Sequence, residues 1–280
     1  MSNNGKTTYS SREMAETISA MGRLTIRIGR ASLSMLMQQG GSDDIIYEPY
    51  VVKSGVSMAA NLREAFKNSD LLLQPPPRVR VSLDSDVLMV PVELFEEHNM
   101  EQMHRHAFPR TEQDAIYYNV LPDLNAVAVF AMNKDLRLVL DDHFKEVELV
   151  SAMQPVWRHL HQRNFTGVRP KLYVYFHEKR MEVFAFQQNR FKFCNTFETS
   201  RVKDMLYFVS YVWKQLQMQP EYDELHLVGD IPEQDTLVEE LKNFLSKVYV
   251  INPSADFNQH PVTEIAGIPY DLQTLVVKGR

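Results

Sequence analysis

The second half of the chain combines short runs of alternating apolar and polar residues with stretches of helical spacing. Between residues 199 and 218 the apolar residues recur every three or four positions, as on one face of an α-helix. A second helix is predicted over 233–245. The other runs are rich in aromatic and β-branched residues and predict strands. These strands cover residues 172–178, 180–187, 190–197, 224–230 and 247–253. The predicted order is therefore βββαβαβ.

The first half repeats this order less regularly. Strand-like runs are predicted at 23–29, 31–38, 44–52, 78–83 and 87–91. Turns are expected at Gly29-Arg30 and at 40–43, where glycine can adopt a positive φ. A helix follows the third strand, with Ser57 as its N-cap and Leu62 and Phe66 on one face. The pattern again indicates βββα, followed by further strands.

The region between these two patterns is more varied. Helices are predicted at 92–106, 134–144 and 155–162, and strands at 115–122, 126–132 and 147–153. Residues 122–125 have good turn chemistry and predict a hairpin. Gly167 and Pro170 interrupt the pattern, which places a domain boundary near residue 166. We therefore expect domains at 1–165, with a polar tail over about the first 20 residues, and at 166–280.

The order βββαβαβ resembles the ribonuclease H-like unit, and two such units in tandem resemble the actin-like ATPases. From about Leu24 onward, several segments are similar to those of an uncharacterised Bacteroidetes family, a domain of unknown function with an actin-like ATPase fold. These segments are LMVPVELF, YYNVLPDLNAVAVFAM, FKFCNTFETSRVKDMLYFVSYVWKQL, LHLVGDIPE and IPYDLQTL. The resemblance implies an α/β fold in which two ribonuclease H-like domains face a central nucleotide cleft.

The first phosphate turn expected from this resemblance lies at residues 26–32. An active actin-like ATPase usually has an Asp there, followed by a glycine-rich turn that holds phosphate while the carboxylate organises Mg²⁺. Arg27 stands where that Asp is expected, and Arg cannot hold Mg²⁺. Arg27, Gly29, Arg30 and Ser32 are candidate phosphate contacts. The alternative is a strand with a charged, outward-facing Arg27 and an ordinary glycine turn.

The other two parts of the expected nucleotide site are also incomplete. The turn between the first two strands of the second half, residues 176–181, contains no glycine and no Asp. Bulky residues keep a backbone from approaching a phosphate closely, so this segment is predicted to be a plain hairpin turn. Gly229 and Asp230 resemble the Gly-Gly that approaches the adenosine. The alternative is that they close a strand and that Asp230 caps the following helix.

Composition restricts the classes of function. The net charge of −6, from 30 basic and 36 acidic residues, gives no general attraction to nucleic acid. Cys194 is the only cysteine, which excludes an internal disulfide and a multi-cysteine metal site. The first residues lack the apolar stretch of a signal peptide, and no apolar run is long enough to span a membrane. We expect a cytoplasmic protein.

Other groups of reactive residues give weaker predictions. His98, His104 and His106 are spaced six and two residues apart, which does not place two of them on one helical face, so a solvated polar helix is expected. Asp84 and Asp86 form either a carboxylate pair or ordinary turn residues. Cys194 is expected to be a buried, unreactive thiol.

Three hypotheses remain open at the level of sequence. The first is a non-catalytic actin-like scaffold that binds an unidentified protein partner. The second is a divergent ATPase or phosphotransferase that binds ATP and Mg²⁺ in the cleft, with Asp84 or Asp230 as the metal-holding carboxylate. The third is a ribonuclease H-like nuclease, which needs several carboxylates around the first strand to hold two metal ions. The apolar stretch 268–277 is expected to pack on the body rather than to dock a partner.

Overall fold

The computed structural model describes residues 22–38, 44–73, 76, 78–109, 113–165 and 167–279. The strands in these residues are β1 (Arg23–Ile28), β2 (Leu33–Gln38), β3 (Ile45–Tyr50), β4 (Arg78–Leu83), β5 (Val87–Pro91), β6 (Asp114–Leu121), β7 (Ala126–Asn133), β8 (Glu146–Ser151), β9 (Lys171–His177), β10 (Arg180–Gln187), β11 (Arg190–Glu198), β12 (Glu224–Gly229) and β13 (Val248–Val250). The α-helices are α1 (Met58–Asn68), α2 (Asp70–Leu73), α3 (Met100–Ala107), α4 (Lys134–His143), α5 (Met153–Asn164), α6 (Val202–Gln215), α7 (Gln234–Lys242), α8 (Pro253–Asp256) and α9 (Tyr270–Lys278).

Two five-stranded sheets have the same topology. Their strand orders are β3-β2-β1-β4-β8 and β11-β10-β9-β12-β13. In each sheet the first strand pairs antiparallel with the second and parallel with the fourth. This arrangement confirms the predicted βββαβαβ order in the second half. In the first half, the residues between β4 and β8 form a separate three-stranded sheet, β5-β7-β6. Strand β8 then completes the first five-stranded sheet.

Most of the predicted local signals are confirmed. The side chain of Ser57 accepts a hydrogen bond from the Ala60 N–H and caps α1. On α6, Met205, Val209 and Val212 face inward and are almost fully buried against the second sheet. Strands β6 and β7 form the hairpin predicted around residues 122–125. The turn predicted at 40–43 lies outside the described residues.

The helix predicted over 92–106 is wrong in its first half. Residues Val92–Leu94 and Glu97–Asn99 form short 3₁₀ turns, and the α-helix begins only at Met100. Val92 and Leu94 are exposed, and only Phe95 of this stretch packs against an apolar cluster. One half-buried residue does not provide the continuous apolar face that stabilises a helix.

The two halves are joined by an apolar cluster and by the last helix. Trp157 of α5 packs in one cluster with Tyr173 and Phe184 of the second sheet. Helix α9 lies against the first sheet, where Leu272 shares a cluster with Leu36 of β2. The prediction that residues 268–277 pack on the body is therefore confirmed, because Tyr270–Val276 are buried. The boundary near residue 166 stays a prediction, and α9 brings the C-terminal residues back to the first half.

Among the helices of the described residues, none combines the length and the apolar character needed to cross a lipid bilayer.

Candidate functional site

The turn between β1 and β2 and the turn between β9 and β10 meet between the two sheets. The carboxylate of Glu178 accepts a hydrogen bond from the Ala31 backbone N–H at 2.9 Å and one from the Ser32 hydroxyl. It also lies 3.1 Å from the guanidinium of Arg27. A Cβ placed on Gly29 would overlap the same Glu178 oxygen. Gly29 therefore makes room for a carboxylate of the protein itself.

Arg27 forms a buried ion pair with Asp271 of α9. Its Nε donates to both Asp271 oxygens at 2.9 and 3.0 Å, and its Nη2 donates to Oδ2 at 2.7 Å. The Tyr175 hydroxyl donates to the same carboxylate at 3.1 Å. Burial by itself lowers the pKa of Arg27, but the charge and hydrogen bonds of Asp271 outweigh burial and raise the pKa well above its ordinary value.

The expectation that Arg27 is a charged residue facing solvent is wrong, because only 3% of its side chain is exposed. The face of β1 that carries Arg27 is covered by α9, which the sequence pattern could not place. Arg27 is therefore fully charged and already paired, whether or not it also contacts a ligand.

A second group of ion pairs joins the halves at the carboxyl end of β4. Asp86 accepts from Arg30 at 2.5 Å and from Arg180 at 2.8 Å. Asp84 is buried and lies 3.3 Å from His177 Nδ1. Burial raises the pKa of Asp84, but the nearby cations His177, Arg27 and Arg180 together lower it by more, and the net shift is downward. Both carboxylates therefore have cationic partners and are more than ordinary turn residues.

The ionisation of His177 gives a testable pH dependence. Its Nε2 lies 3.5 Å from Glu182, its Nδ1 faces Asp84, and its ring stacks on Tyr175. Burial lowers the pKa of this imidazole, but the neighbouring carboxylates of Asp84 and Glu182 outweigh burial and raise it to about 9. Such a group stabilises the fold fully below the unfolded pKa of about 6.5, and this stabilisation is lost as the pH rises through about 9.

We therefore expect the free energy of unfolding to fall between about pH 6.5 and pH 9 by roughly 2 kcal/mol more in the wild type than in His177→Gln. Urea denaturation at several pH values across this window measures the difference. His98→Gln is the control for the substitution itself, because His98 is exposed and its loss should change the stability little. Equal slopes in the wild type and His177→Gln would contradict the prediction.

The turn between β9 and β10 is the predicted hairpin turn, with Glu178 and Lys179 as its two central residues. It is not a plain turn, because Glu178 contacts the turn between β1 and β2. Glu178 and Lys179 both have positive φ, at 45° and 61°. Residues with a Cβ are strained in this region, which glycine occupies without cost. Glu178 is held there by its contacts with the first turn. The Lys179 side chain forms no hydrogen bond or ion pair with any residue that the structure describes.

Lys179→Gly should therefore raise the free energy of unfolding by about 1 kcal/mol, because it removes strain from the folded state without removing a contact. Thermal or urea denaturation measures the effect. Lys203→Gly is the contrasting control, since Lys203 lies in α6 with helical backbone and should lose stability instead. A loss of stability in Lys179→Gly would show that the turn is not strained.

Gly229 and Asp230 end β12 beside the same turn. Gly229 has φ +97°, and a Cβ there would overlap the carbonyl oxygen of Phe176 and lie 2.7 Å from the Tyr175 ring. The Asp230 N–H donates to that carbonyl at 2.9 Å. The prediction that Asp230 caps the next helix is wrong, because the N-cap of α7 is Glu233 in a left-handed conformation. Gly229 is thus required by neighbouring backbone.

A cavity of about 590 Å³ lies beside these contacts. It brings together the predicted candidates Arg27, Ser32, Gly229 and Asp230, whereas Gly29 and Arg30 are not among its lining residues. Its remaining lining includes residues that sequence reasoning missed, namely Tyr47, Pro49 and Tyr50 of β3 and Pro269, Tyr270 and Gln273 near α9. The only sequence signal for the α9 residues was an apolar C-terminal stretch interrupted by polar Asp271 and Gln273.

Comparison with known families decides the classification. The model of a family described as "Protein of unknown function (DUF3822)" matches residues 11–248. The chain belongs to the DUF3822 family. No functionally curated protein matches this DUF3822 chain significantly.

Solved structures agree with this assignment. The DUF3822 chain is similar to a Bacteroides thetaiotaomicron protein described as having an actin-like ATPase fold and unknown function. That likeness has a TM-score of 0.81 and 28% sequence identity, and covers 93% of this chain and 97% of the other. A chain of the PilM-PilN type IV pilus biogenesis complex matches with a TM-score of 0.57 and 14% identity, over 92% and 98% of the two chains. The fold is therefore the actin-like ATPase fold, and the family has no assigned activity.

The remaining sequence candidates of the DUF3822 chain lie away from the cleft. His104 is buried with its Nε2 3.4 Å from the Asp86 carbonyl oxygen, whereas His98 and His106 are exposed. Within the described residues, no group of three or more His, Cys, Asp and Glu side chains has a geometry that could hold a metal ion. Burial, followed by the charge of Glu182, raises the pKa of the Cys194 thiol well above its ordinary value. A thiol with a raised pKa is a poor nucleophile. The prediction that Cys194 is buried is wrong, however, because its side chain is only half-buried.

Proposed function

We propose that this protein is a non-catalytic actin-like module that binds a protein partner, and that ionic contacts between its halves have replaced nucleotide chemistry. The observation that carries the proposal is the position of the Glu178 carboxylate. It uses the Ala31 N–H and the Ser32 hydroxyl of the first turn, which are the donors that a phosphate would need. An anion arriving at this turn meets a negative charge that is already hydrogen-bonded there.

The carboxylates near the turn support the same proposal. A magnesium ion bound with a nucleotide needs carboxylate oxygens that are free to accept it or its waters. Asp84 faces His177 and Arg180, and Asp86 binds Arg30 and Arg180. Releasing either carboxylate would leave a buried or half-buried cation without its partner, which is costly. Strand β1 itself contains no carboxylate, so nothing favours a two-metal nuclease.

One structural neighbour supports a protein partner for this chain. The similar PilM chain is named as a component of a complex with PilN. A chain with this fold is therefore found in a complex with another protein. We propose the same general role here, in the cytoplasm and without nucleic acid, in keeping with the single Cys194 and the net charge of −6.

A divergent ATPase or phosphotransferase is the second candidate. The cavity of about 590 Å³ favours it, because that volume suits a small ligand and the lining includes Arg27, Ser32, Gly229 and Asp230. The two candidates differ in what they predict for nucleotides. If Mg-ATP is present at a hundredfold excess over its dissociation constant, binding adds about 2.7 kcal/mol to stability. The melting temperature should then rise by about 5–10 °C.

We expect melting temperatures that do not change with ATP, ADP or GTP in the presence of Mg²⁺. Thermal-shift measurements over micromolar to millimolar nucleotide test this. A saturable rise with any of the three nucleotides would reject the non-catalytic proposal in favour of the second candidate.

A variant test addresses the role of Glu178 directly. Glu178→Ala empties the position between Ala31, Ser32 and Arg27. It leaves the Ala31 N–H and the Ser32 hydroxyl without their acceptor, while Arg27 keeps its bonds to Ser32 and Asp271. Inorganic phosphate should then raise the melting temperature of the variant and leave that of the wild type unchanged. Glu93→Ala is the matched control, because Glu93 forms an exposed ion pair with Arg190. If phosphate affects the wild type and Glu178→Ala equally, Glu178 does not occupy an anion position.

A further inference from the structure

The cavity beside the Arg27 ion pair has aromatic walls. Tyr47 and Tyr50 come from β3, Tyr270 begins α9, and Tyr175 lies on β9. The Tyr47 hydroxyl donates to the Gly267 carbonyl at 3.3 Å, which connects β3 to the segment preceding α9. A volume of about 590 Å³ is within the range of small-ligand sites. The faces of tyrosine rings are negative and attract cations.

A buried acceptor without a partner lines the same cavity. Gln273 is 8% exposed, and its Nε2 donates to the Ile268 carbonyl at 3.0 Å. This bond fixes the orientation of the amide and leaves its oxygen without a hydrogen-bond donor. Among the described residues, nothing donates a hydrogen bond to Gln273 Oε1. An unpaired buried acceptor is costly, and a ligand N–H placed against it would remove that cost.

The uncompensated charge at the cavity is negative. The two lining cations, Arg27 and His177, are paired with Asp271, Glu178 and Asp84. Asp230 is exposed at the edge of the cavity and forms no ion pair with any residue that the structure describes. The tyrosine walls, the Gln273 oxygen and Asp230 at the rim therefore all favour a positively charged ligand.

We propose that this cavity binds an organic cation, an ammonium or guanidinium group, carried either by a free small molecule or by a Lys or Arg side chain of the partner. The half-buried rings of Tyr47 and Tyr50 contact the cation, Gln273 Oε1 accepts one of its N–H groups, and Asp230 supplies the opposing charge at the rim. This inference rests on the proposed function, because a nucleotide in the cleft would compete for the same space.

Isothermal titration calorimetry of the full chain tests the proposal with three probes. N-butylguanidinium represents the free cation, acetyl-Gly-Arg-Gly-amide represents a side chain of a partner, and N-butylurea is the neutral isostere of the first. We expect saturable binding of at least one cationic probe, and binding of N-butylurea at least about tenfold weaker because it lacks the charge. Tighter binding of the free guanidinium supports a small-molecule ligand, and tighter binding of the peptide supports a side chain.

Two variants locate the site. Asp230→Asn and Gln273→Leu should each lower the affinity of the cation by about tenfold, through lost charge and a lost acceptor respectively. Asp230 is exposed, so Asp230→Asn tests the site even if Gln273→Leu is destabilised. Asp235→Asn is the matched control, because it removes an exposed carboxylate from α7 that lies outside this cavity.

Failure of both cationic probes to bind the wild type, or unchanged affinity in Asp230→Asn, would overturn the cation site. The nucleotide titrations are read separately. A rise in melting temperature with Mg-ATP rejects the non-catalytic proposal, whereas the absence of signals from both nucleotide and cation rejects only the cation site.

Discussion

Asp271→Asn should lower the free energy of unfolding by about 3 kcal/mol, because it leaves the Arg27 guanidinium buried without its principal counter-charge. The two side chains are 3% and 1% exposed, so water cannot replace the lost partner. Asparagine keeps the volume of aspartate and can still accept from the Tyr175 hydroxyl. The loss in free energy of unfolding is therefore caused by the missing negative charge and not by an empty cavity. Urea denaturation followed by circular dichroism measures it.

The control is Asp123→Asn, which removes the partner of Arg158 from an exposed ion pair. Exposed pairs contribute little, so this change should cost less than about 1 kcal/mol. The double variant Arg27→Met with Asp271→Leu should recover part of the stability. It removes the unpaired buried charge, but it leaves the Tyr175 hydroxyl without its acceptor. Equal losses in Asp271→Asn and Asp123→Asn would mean that the buried pair is not important to the fold.

Gly229→Ala should destabilise the protein by more than about 4 kcal/mol, a loss seen only when a substitution meets a specific structural obstacle. The methyl group would overlap the Phe176 carbonyl oxygen and press on the Tyr175 ring, and φ +97° is unfavourable for alanine. Both neighbours belong to β9, a central strand, so neither can move aside. We expect a much lower melting temperature and a smaller soluble yield.

Gly55→Ala separates the two causes. Gly55 also has a positive φ, +78°, but an added Cβ there meets nothing within 4 Å. It should therefore cost only the backbone strain, about 1–2 kcal/mol. If Gly229→Ala is no worse than Gly55→Ala, close packing against β9 does not explain the glycine. Substitutions at Gly229 are therefore expected to change the stability of the fold, so they cannot be used to measure ligand binding alone.

Much of the fold could be predicted, because strands and helices impose their own spacing on the residues that bury one face. Val209 and Val212 indicated the inner face of α6, and Ser57 indicated the start of α1. The first half of the helix predicted at 92–106 failed where no continuous apolar face existed. The insertion of a third sheet between β4 and β8 was visible only as extra strands.

The candidate site was predicted only in part. Arg27, Ser32, Gly229 and Asp230 line one cavity. That they contact a nucleotide stays a prediction. The group that occupies the first turn, the Glu178 carboxylate, was noted only as a bulky residue in a turn without glycine. Tyr50 and Gln273 were missed because neither stands in a recognisable motif.

By itself the sequence determined the two repeated units, the missing Asp at the first turn and the glycine-free second turn. Each of these is a property of neighbouring residues. The tertiary structure decided what fills the cleft, because the decisive partners are far apart along the chain: Arg27 and Asp271 are 244 residues apart, and Ala31 and Glu178 are 147 apart. A charged residue in a sequence shows that it needs a partner or water. Which of the two it has depends on the segments that packing brings against it, and here α9 and the β9–β10 turn supply the partner.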